Sequence, residues 1–236
     1  MASRTDTLNP QYSGFFLPDF TAASLYRVFN RSSFNLGGRL YGGWWQMIPS
    51  VHRPKIMIDG YPTREIDFSS MQIAMLYAQA GHSMQGDAYE LPGIEPNKNN
   101  RKAIKKIILS MINAESADGI PNPEGVTMPR PRSEIIRLAQ EKHSAIESYF
   151  FSGEGTRLQR LDSDIAERVM VNMGKRGILV LPVHDSFIVP YSQIETVKEE
   201  MVQSYRAIVG GEIDTTLYQR RGVLTHDGFV PPGSVF

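Results

Sequence analysis

The chain has 236 residues, and its 25 basic and 25 acidic side chains cancel to a formal net charge of zero. That weighs against gripping duplex nucleic acid by bulk charge, which needs clustered Lys and Arg, but it leaves room for a local basic groove. There is no cysteine, which excludes disulfides, thiolate zinc sites and cysteine nucleophiles. Without a long apolar run or a charged-then-apolar leader, no membrane association is expected and a cytoplasmic location follows by default.

The length suits one domain or two closely packed subdomains. Residues 1–20 are polar, with Pro10 and Pro18, and read as part of an N-terminal arm over 1–35. Ala22 to Phe29 reads as a short helix. Asn30 to Gly43 reads as a loop, because Gly37, Gly38, Gly42 and Gly43 permit positive φ or close backbone approach. Trp44 and Trp45 read as core anchors, since Trp is highly buried on average; both are also compatible with facing nucleic acid. Lys55–Ile58 and Arg64–Phe68 flank Asp59-Gly60 and predict a hairpin. The helix after Asp67 is apolar almost all round (Met71, Ile73, Ala74, Met75, Leu76, Tyr77 and Ala78), so it is predicted to be buried. Gly81 is its expected stop.

Gly86 to Asn99 reads as a loop. Asn100 to Ala114 is strongly helical: Ile104, Ile107, Ile108, Met111 and Ile112 form one face, and Arg101, Lys102, Lys105 and Lys106 lie on another side. Glu115 to Pro131 is rich in Pro, Gly and acids and marks a loop or subdomain crossing. Helices follow over Ser133–Phe151, with Ser133 as N-cap, and over Thr156–Lys175. Ile178–Val183 and Ser186–Val189 read as strands. Ser192 opens a last helix to Val209, with Glu195 completing a capping box. Gly210 to Phe236 reads as a tail without an assigned fold. Strands and helices are segregated rather than alternating, which predicts an α+β fold with helices packed behind an antiparallel sheet.

Two acids stand out. Asp67 ends an apolar strand, and Asp185 interrupts the apolar run around Val183-His184-Asp185-Ser186-Phe187. A carboxylate at the end of a core strand is costly unless it has a partner. Two metal ions about 3.5–4 Å apart need shared carboxylate oxygens, and hard cations such as Mg²⁺ take oxygen ligands, waters and substrate phosphates. The bland alternative is that Asp67 caps the next helix and Asp185 occupies a turn. Arg101 and Lys105 are four apart and share one helix face, as do Lys102 and Lys106. Either pair suits a triphosphate, and either suits a solvated basic surface. His184 can serve a phosphate, a metal shell or a strand end. Asp162 reads as a surface or cap residue. No Walker loop, Rossmann fingerprint or nucleophile elbow is present.

In this order the residues resemble family-A DNA polymerases. Gly38-Arg39-Leu40, then Gln46-Met47-Ile48-Pro49, then Asp67-Phe68-Ser69-Ser70-Met71-Gln72 is similar to that family's Gly-Arg-Leu-Ser, Leu-Gln-Asn-Ile-Pro and Asp-Tyr-Ser-Gln-Ile-Glu. Arg101 and Lys105 resemble the motif B helix. Val183-His184-Asp185-Ser186-Phe187 resembles motif C in the form found in phage-type single-subunit RNA polymerases, which share the palm, and Gln159 to Val171 is similar to the helix before that motif.

The resemblance implies a palm domain over about 36–208, with a reduced fingers-like insertion near 84–150 and a shortened fingers helix, followed by a tail over 209–236. It implies Asp67, Asp185 and the Phe68 backbone carbonyl as ligands of Mg²⁺ or Mn²⁺. Arg101, Lys105 and Gln72 would bind the nucleoside triphosphate, and Arg39, Gln46 and His184 would lie near primer-template nucleic acid. Where the family has an aromatic ring and then Tyr-Gly after the motif B lysine, this chain has Leu109, Asn113 and Ala114. Gln72 replaces the glutamate that helps exclude ribonucleotides, which leaves sugar choice open. The region before Gly38 is short for a thumb and has no room for a proofreading exonuclease. The expectation is a reduced, template-directed DNA polymerase for the replication of a plasmid, prophage or mobile element, working with a protein that replaces the thumb. The competing expectations are a non-catalytic, palm-derived nucleic-acid-binding replication factor and, more weakly, a metal-dependent phosphodiesterase.

Overall fold

A computed structural model describes residues 23–217, 224–225 and 228–229; the expected arm at 1–20 lies outside them. The centre is strand β4 (Tyr61–Phe68), which pairs antiparallel with β6 (Ser186–Pro190) in the register Ile66↔Phe187 and Asp67↔Ser186. β5 (Leu181–Val183) continues the sheet beyond β6, while β3 (Met57–Ile58) and β7 (Thr215–Leu217) pair with opposite ends of β4. The Asp59-Gly60 hairpin is as predicted, with Asp59 and Gly60 both at positive φ.

Because successive side chains alternate across a strand, β4 and β6 divide their residues between two layers. Ile66, Phe68, Phe187 and Val189 enter the main core, where they meet α2 (Met71–Gln79), α3 (Lys98–Asn113), α5 (Gly155–Lys175) and α6 (Ile194–Val209). Ile188 and Leu181 lie on the other face with Trp45, Ile56 and Ile58, in a smaller cluster. Trp45, on the short α1 (Trp44–Met47), is 4% exposed and donates its indole N–H to the Pro182 carbonyl at 2.8 Å, as a core anchor should. The result is an α+β fold with an antiparallel sheet backed by helices. Among the described residues no helix is long and apolar enough to cross a membrane.

Several sequence expectations need correction. The segment read as helix and then loop is a hairpin, β1 (Tyr26–Asn30) and β2 (Ser33–Tyr41), packed on α5. Its glycines serve a bulged strand rather than a loop: the register shifts beside Phe29, which pairs with Gly37, and Gly37 and Gly38 have φ of 73° and 83°. A Cβ at Gly37 would lie 2.2 Å from the Asn30 Oδ1 and would displace that side chain, and the positive φ strains any residue with a Cβ, so the bulge favours glycine there. α4 (Arg132–Lys142) starts before Ser133 and stops at His143, giving way to a 3₁₀ turn over Ser144–Tyr149. His143 fixes that stop, because its ring bonds both the Tyr77 hydroxyl (3.0 Å) and the Ala88 carbonyl (2.9 Å). Ser192 does not cap α6. It lies in a 3₁₀ turn, the helix opens at Ile194, and Glu195 pairs with Lys198 instead. The tail contributes β7 to the central sheet, a strand too short to show periodicity.

Candidate active site

Asp67 and Asp185 meet because of one turn and one register. β5 and β6 are joined by the two-residue turn His184-Asp185, with His184 at φ 57°. Positive φ at the first central position is what a tight hairpin favours, and it is uncommon for a residue with a Cβ. The pairing sets Ser186 opposite Asp67, so Asp185 stands at the end of β4, and the Phe68 N–H donates to the Asp185 carbonyl at 3.4 Å. Facing residues on antiparallel strands have Cβ atoms roughly 5 Å apart. The two acids therefore share one sheet end.

The electrostatics of that end are unfavourable as they stand. The Asp67 carboxyl is pushed up to about 8, first by burial, then by the Asp185 charge and by Glu65; Lys105 pulls it the other way. Its Oδ1 is buried without a hydrogen-bond partner. A buried carboxylate oxygen left unpaired beside a second carboxylate is stabilised by a cation. Glu65, two residues back on the same face, is held by Arg53 through Nε (3.0 Å) and Nη2 (2.9 Å) and accepts from Ser186 Oγ at 2.7 Å. Sequence reading missed this buttress, although period two placed Glu65 on the face of Asp67. Among the described residues no group of three or more metal-ligating side chains stands together.

The structure resolves the register of the basic helix. Asn97 caps α3 through Oδ1, accepting from the Asn99 and Asn100 N–H groups. Arg101 and Lys105 then lie over the ring of Tyr89, at 4.9 and 5.7 Å from its centroid. Lys106 turns elsewhere and donates to the Glu124 carbonyl at 2.6 Å. Tyr89 is 3% exposed, and burial pushes its phenol up to about 12 against a hydrogen bond with Ser70. The loop carrying it is pinned from α4 by Lys142, which donates to the Asp87 carbonyl, and by His143 on Ala88. Arg101 is not free of acids: Asp87 of this loop takes its Nε at 2.6 Å. Neither Tyr89 nor Asp87 was read as a site residue, since loop residues carry no periodicity.

An open cleft of about 370 Å³ beside these groups is lined by Ser69, Ser70, Asp87, Arg101, Glu212 and Asp214 among others. Gln72, in the first turn of α2, buries its Oε1 without a partner. Gln46 donates its amide to the Leu40 and Pro182 carbonyls (3.0 and 3.1 Å) and buries its Oε1, tying β2 to β5. His184 is exposed at the turn, edge-on to Tyr41 at 5.7 Å. Phe68 sends its ring to the helix side of the sheet, 6.1 Å from Tyr205. Leu109 and Asn113 lie further along α3, and Asn113 bonds back to the Leu109 carbonyl. The expectation for Asp162 was wrong. It is buried on α5 and pairs with Arg39 Nε at 3.0 Å. The helical pattern alone could have flagged it, because its neighbours Leu158, Ile165, Ala166 and Val169 place it on the buried side.

No protein-family model matches the chain, and no curated protein matches it. Among solved structures it is similar to the POL domain of Pol1 from M. smegmatis, in complex with DNA primer-template and dNTP. The TM-score is 0.50 and the identity 13%, over 81% of this chain and 46% of that one, so the chain spans less than half of that structure. At this identity the likeness bears on architecture: the chain has a distant, polymerase-like α+β fold.

Proposed function

We propose that the protein is a metal-dependent nucleotidyltransferase that adds nucleotides to a primer 3′ hydroxyl as a template-directed DNA polymerase. One observation carries the reading: Asp67 and Asp185 share a sheet end, and Asp67 has a buried, unpartnered oxygen within the field of Lys105. The polymerase-like fold supports it, and so does the solved neighbour's complex with primer-template and dNTP.

The donor set suits a hard cation such as Mg²⁺ or Mn²⁺, which takes oxygen ligands and leaves coordination positions for phosphate oxygens and water. Asp67, Asp185 and the Phe68 carbonyl would hold it, and it would supply charge stabilisation to the attacking and leaving oxygens of an in-line displacement. The protein residues do the positioning. Lys105 and Arg101 hold the triphosphate and offset charge on the departing pyrophosphate. Tyr89 fixes the direction of both cations. Arg101 exchanges Asp87 for phosphate when nucleotide enters. Gln72 lies where the sugar would be contacted, while Arg39 and His184 border the primer-template. The tie made by Gln46 keeps β2 against the sheet. Residues 36–208 would form the palm, with the fingers-like insertion near 84–150.

The test is extension of a labelled primer on a DNA template with Mg²⁺ or Mn²⁺, with dNTPs and NTPs in separate lanes and Asp185→Ala alongside. Extension lost in the variant supports the polymerase and reports its sugar choice. Shortening of the primer instead would point to a phosphodiesterase. A second reading, a non-catalytic nucleic-acid-binding replication factor, is favoured by Leu109 and Asn113, which give α3 no ring to stack on a base. It expects retention of primed DNA without extension.

A further inference from the structure

Arg39 and Asp162 form a pair that is only half used on each side. Arg39 gives Asp162 its Nε alone, and among the described residues its two Nη groups have no acceptor. Asp162 takes that bond on Oδ2, and its Oδ1 is buried without a partner. The side chains are 23% and 6% exposed. Anchoring the β1–β2 hairpin does not require this pair, because Arg27 already does so through the Gly38 carbonyl, Ser163, Asp164 and Glu167. A buried monodentate pair contributes little net stability once desolvation is counted, so the position has no good structural reason to be ionic.

Its surroundings suggest another reason. The Asp162 carboxyl is pushed up to about 7, by burial first, against the pull of Arg39 and with a push from Asp185. Tyr41, two residues after Arg39 on β2, rests edge-on to His184 at 5.7 Å, so the pair lies beside the β5–β6 turn that carries Asp185.

We infer that Asp162 is a positioning residue that clamps Arg39 by its Nε edge, leaving both Nη groups for the terminal nucleotide of a primer. This rests on the polymerase reading, since it presumes a strand whose 3′ hydroxyl lies at the two acids. The ligand chemistry follows from the free edge: two parallel N–H donors suit acceptor oxygens of a sugar–phosphate or the acceptor edge of a base.

The experiment is fluorescence anisotropy of a duplex with a recessed 3′ end against a blunt duplex, without nucleotide. The proteins are wild type, Asp162→Asn, Arg39→Ala and the double variant, with thermal unfolding in parallel. The wild type should prefer the recessed end. Asp162→Asn should lose about tenfold on that end and nothing on the blunt duplex, with its melting temperature unchanged or raised. The double variant should bind no worse than Arg39→Ala, because the carboxylate acts only through the guanidinium. Asp162→Ser, which removes the carboxylate and leaves the Arg39 guanidinium intact, should show the same loss and covers the case in which Asp162→Asn does not fold. A wild-type preference that survives in Asp162→Asn, or additive losses in the double variant, would overturn the clamp alone. A wild type with no preference for the recessed end would overturn it together with the polymerase reading.

Discussion

The two faces of the central sheet receive the same backbone and opposite treatment. On the helix side, Ile66 and Phe187 are paired across β4 and β6 at 0% and 1% exposure. One step along the ladder, forward on β4 and back on β6, Asp67 and Ser186 are paired on the other side, where Glu65, Arg53 and an unpartnered carboxylate oxygen gather. Parity along β4 therefore separates core residues from acids, while on β6 the second face still buries Ile188 against Trp45, Ile56 and Ile58. The acidic face is tolerated because the apolar face carries the stability, and one substitution on each side can test that division.

The largest effect should come from the acids. Asp67→Ala or Asp185→Ala removes a proposed cation ligand and no core contact, so incorporation should fall by at least about a thousandfold, with thermal stability kept or raised. Single-turnover extension and a melting curve on the same preparation measure both, and near-wild-type activity in either variant sinks the assignment. Phe187→Ala makes the opposite break. It should cost about 3–5 kcal/mol in urea unfolding, while the activity of the molecules that remain folded is retained. If Phe187→Ala instead abolished activity at full stability, the faces would not be divided as described.

The same parity explains what could be read from the chain alone. The Asp59-Gly60 hairpin, the buried α2 and the order of Asp67 and Asp185 were legible because each is written in local pattern: a turn dipeptide, an apolar run, an acid at its end. The β1–β2 hairpin was not legible, because four glycines look like a loop until a partner strand shows that Gly37 and Gly38 serve a bulge and Gly42 a close approach to the Ser24 carbonyl. β7 was hidden because three residues cannot display a period. Among the candidate site residues, helix spacing treats Arg101 and Lys105 like Lys102 and Lys106, and only the resemblance to motif B preferred the first pair. What decides between them is Tyr89, on a loop fixed by Lys142 and His143, a tertiary fact that no window of sequence contains. Asp162 was misread because an isolated acid in an amphipathic helix is usually solvated, and its partner is 123 residues away.

The next effect sharpens the comparison within α3. Lys105→Ala should raise the nucleotide KM about ten- to a hundredfold, the worth of a charge-assisted contact to phosphate. Lys102→Ala, one residue after Arg101 on the exposed side, should change it less than about twofold. Steady-state kinetics over a dNTP titration decide it, and equal effects at the two positions would return the helix to being a general basic surface.

The smallest effect is the most direct reading of the burdened face. The Asp67 carboxyl stands near 8 and that of Asp162 near 7 in the folded protein, against about 3.9 when unfolded. Between those limits the folded state keeps protons that the unfolded state has lost. The contribution of these two groups to stability therefore falls as pH rises from about 4 to about 8, and levels off above that. Other carboxylates titrate in the same acid range, so the difference between wild type and Asp67→Asn isolates the first group. In EDTA that difference should grow in favour of the variant from pH 5 to pH 8, measured by urea unfolding. Mg²⁺ at pH 8 should stabilise the wild type and leave Asp67→Asn much less affected, because a ligand that binds the folded state alone adds stability that grows with the logarithm of one plus its concentration over Kd. A pH-independent difference would mean that Asp67 is not strained by its neighbours, and the argument that its bare oxygen awaits a cation would fall with it.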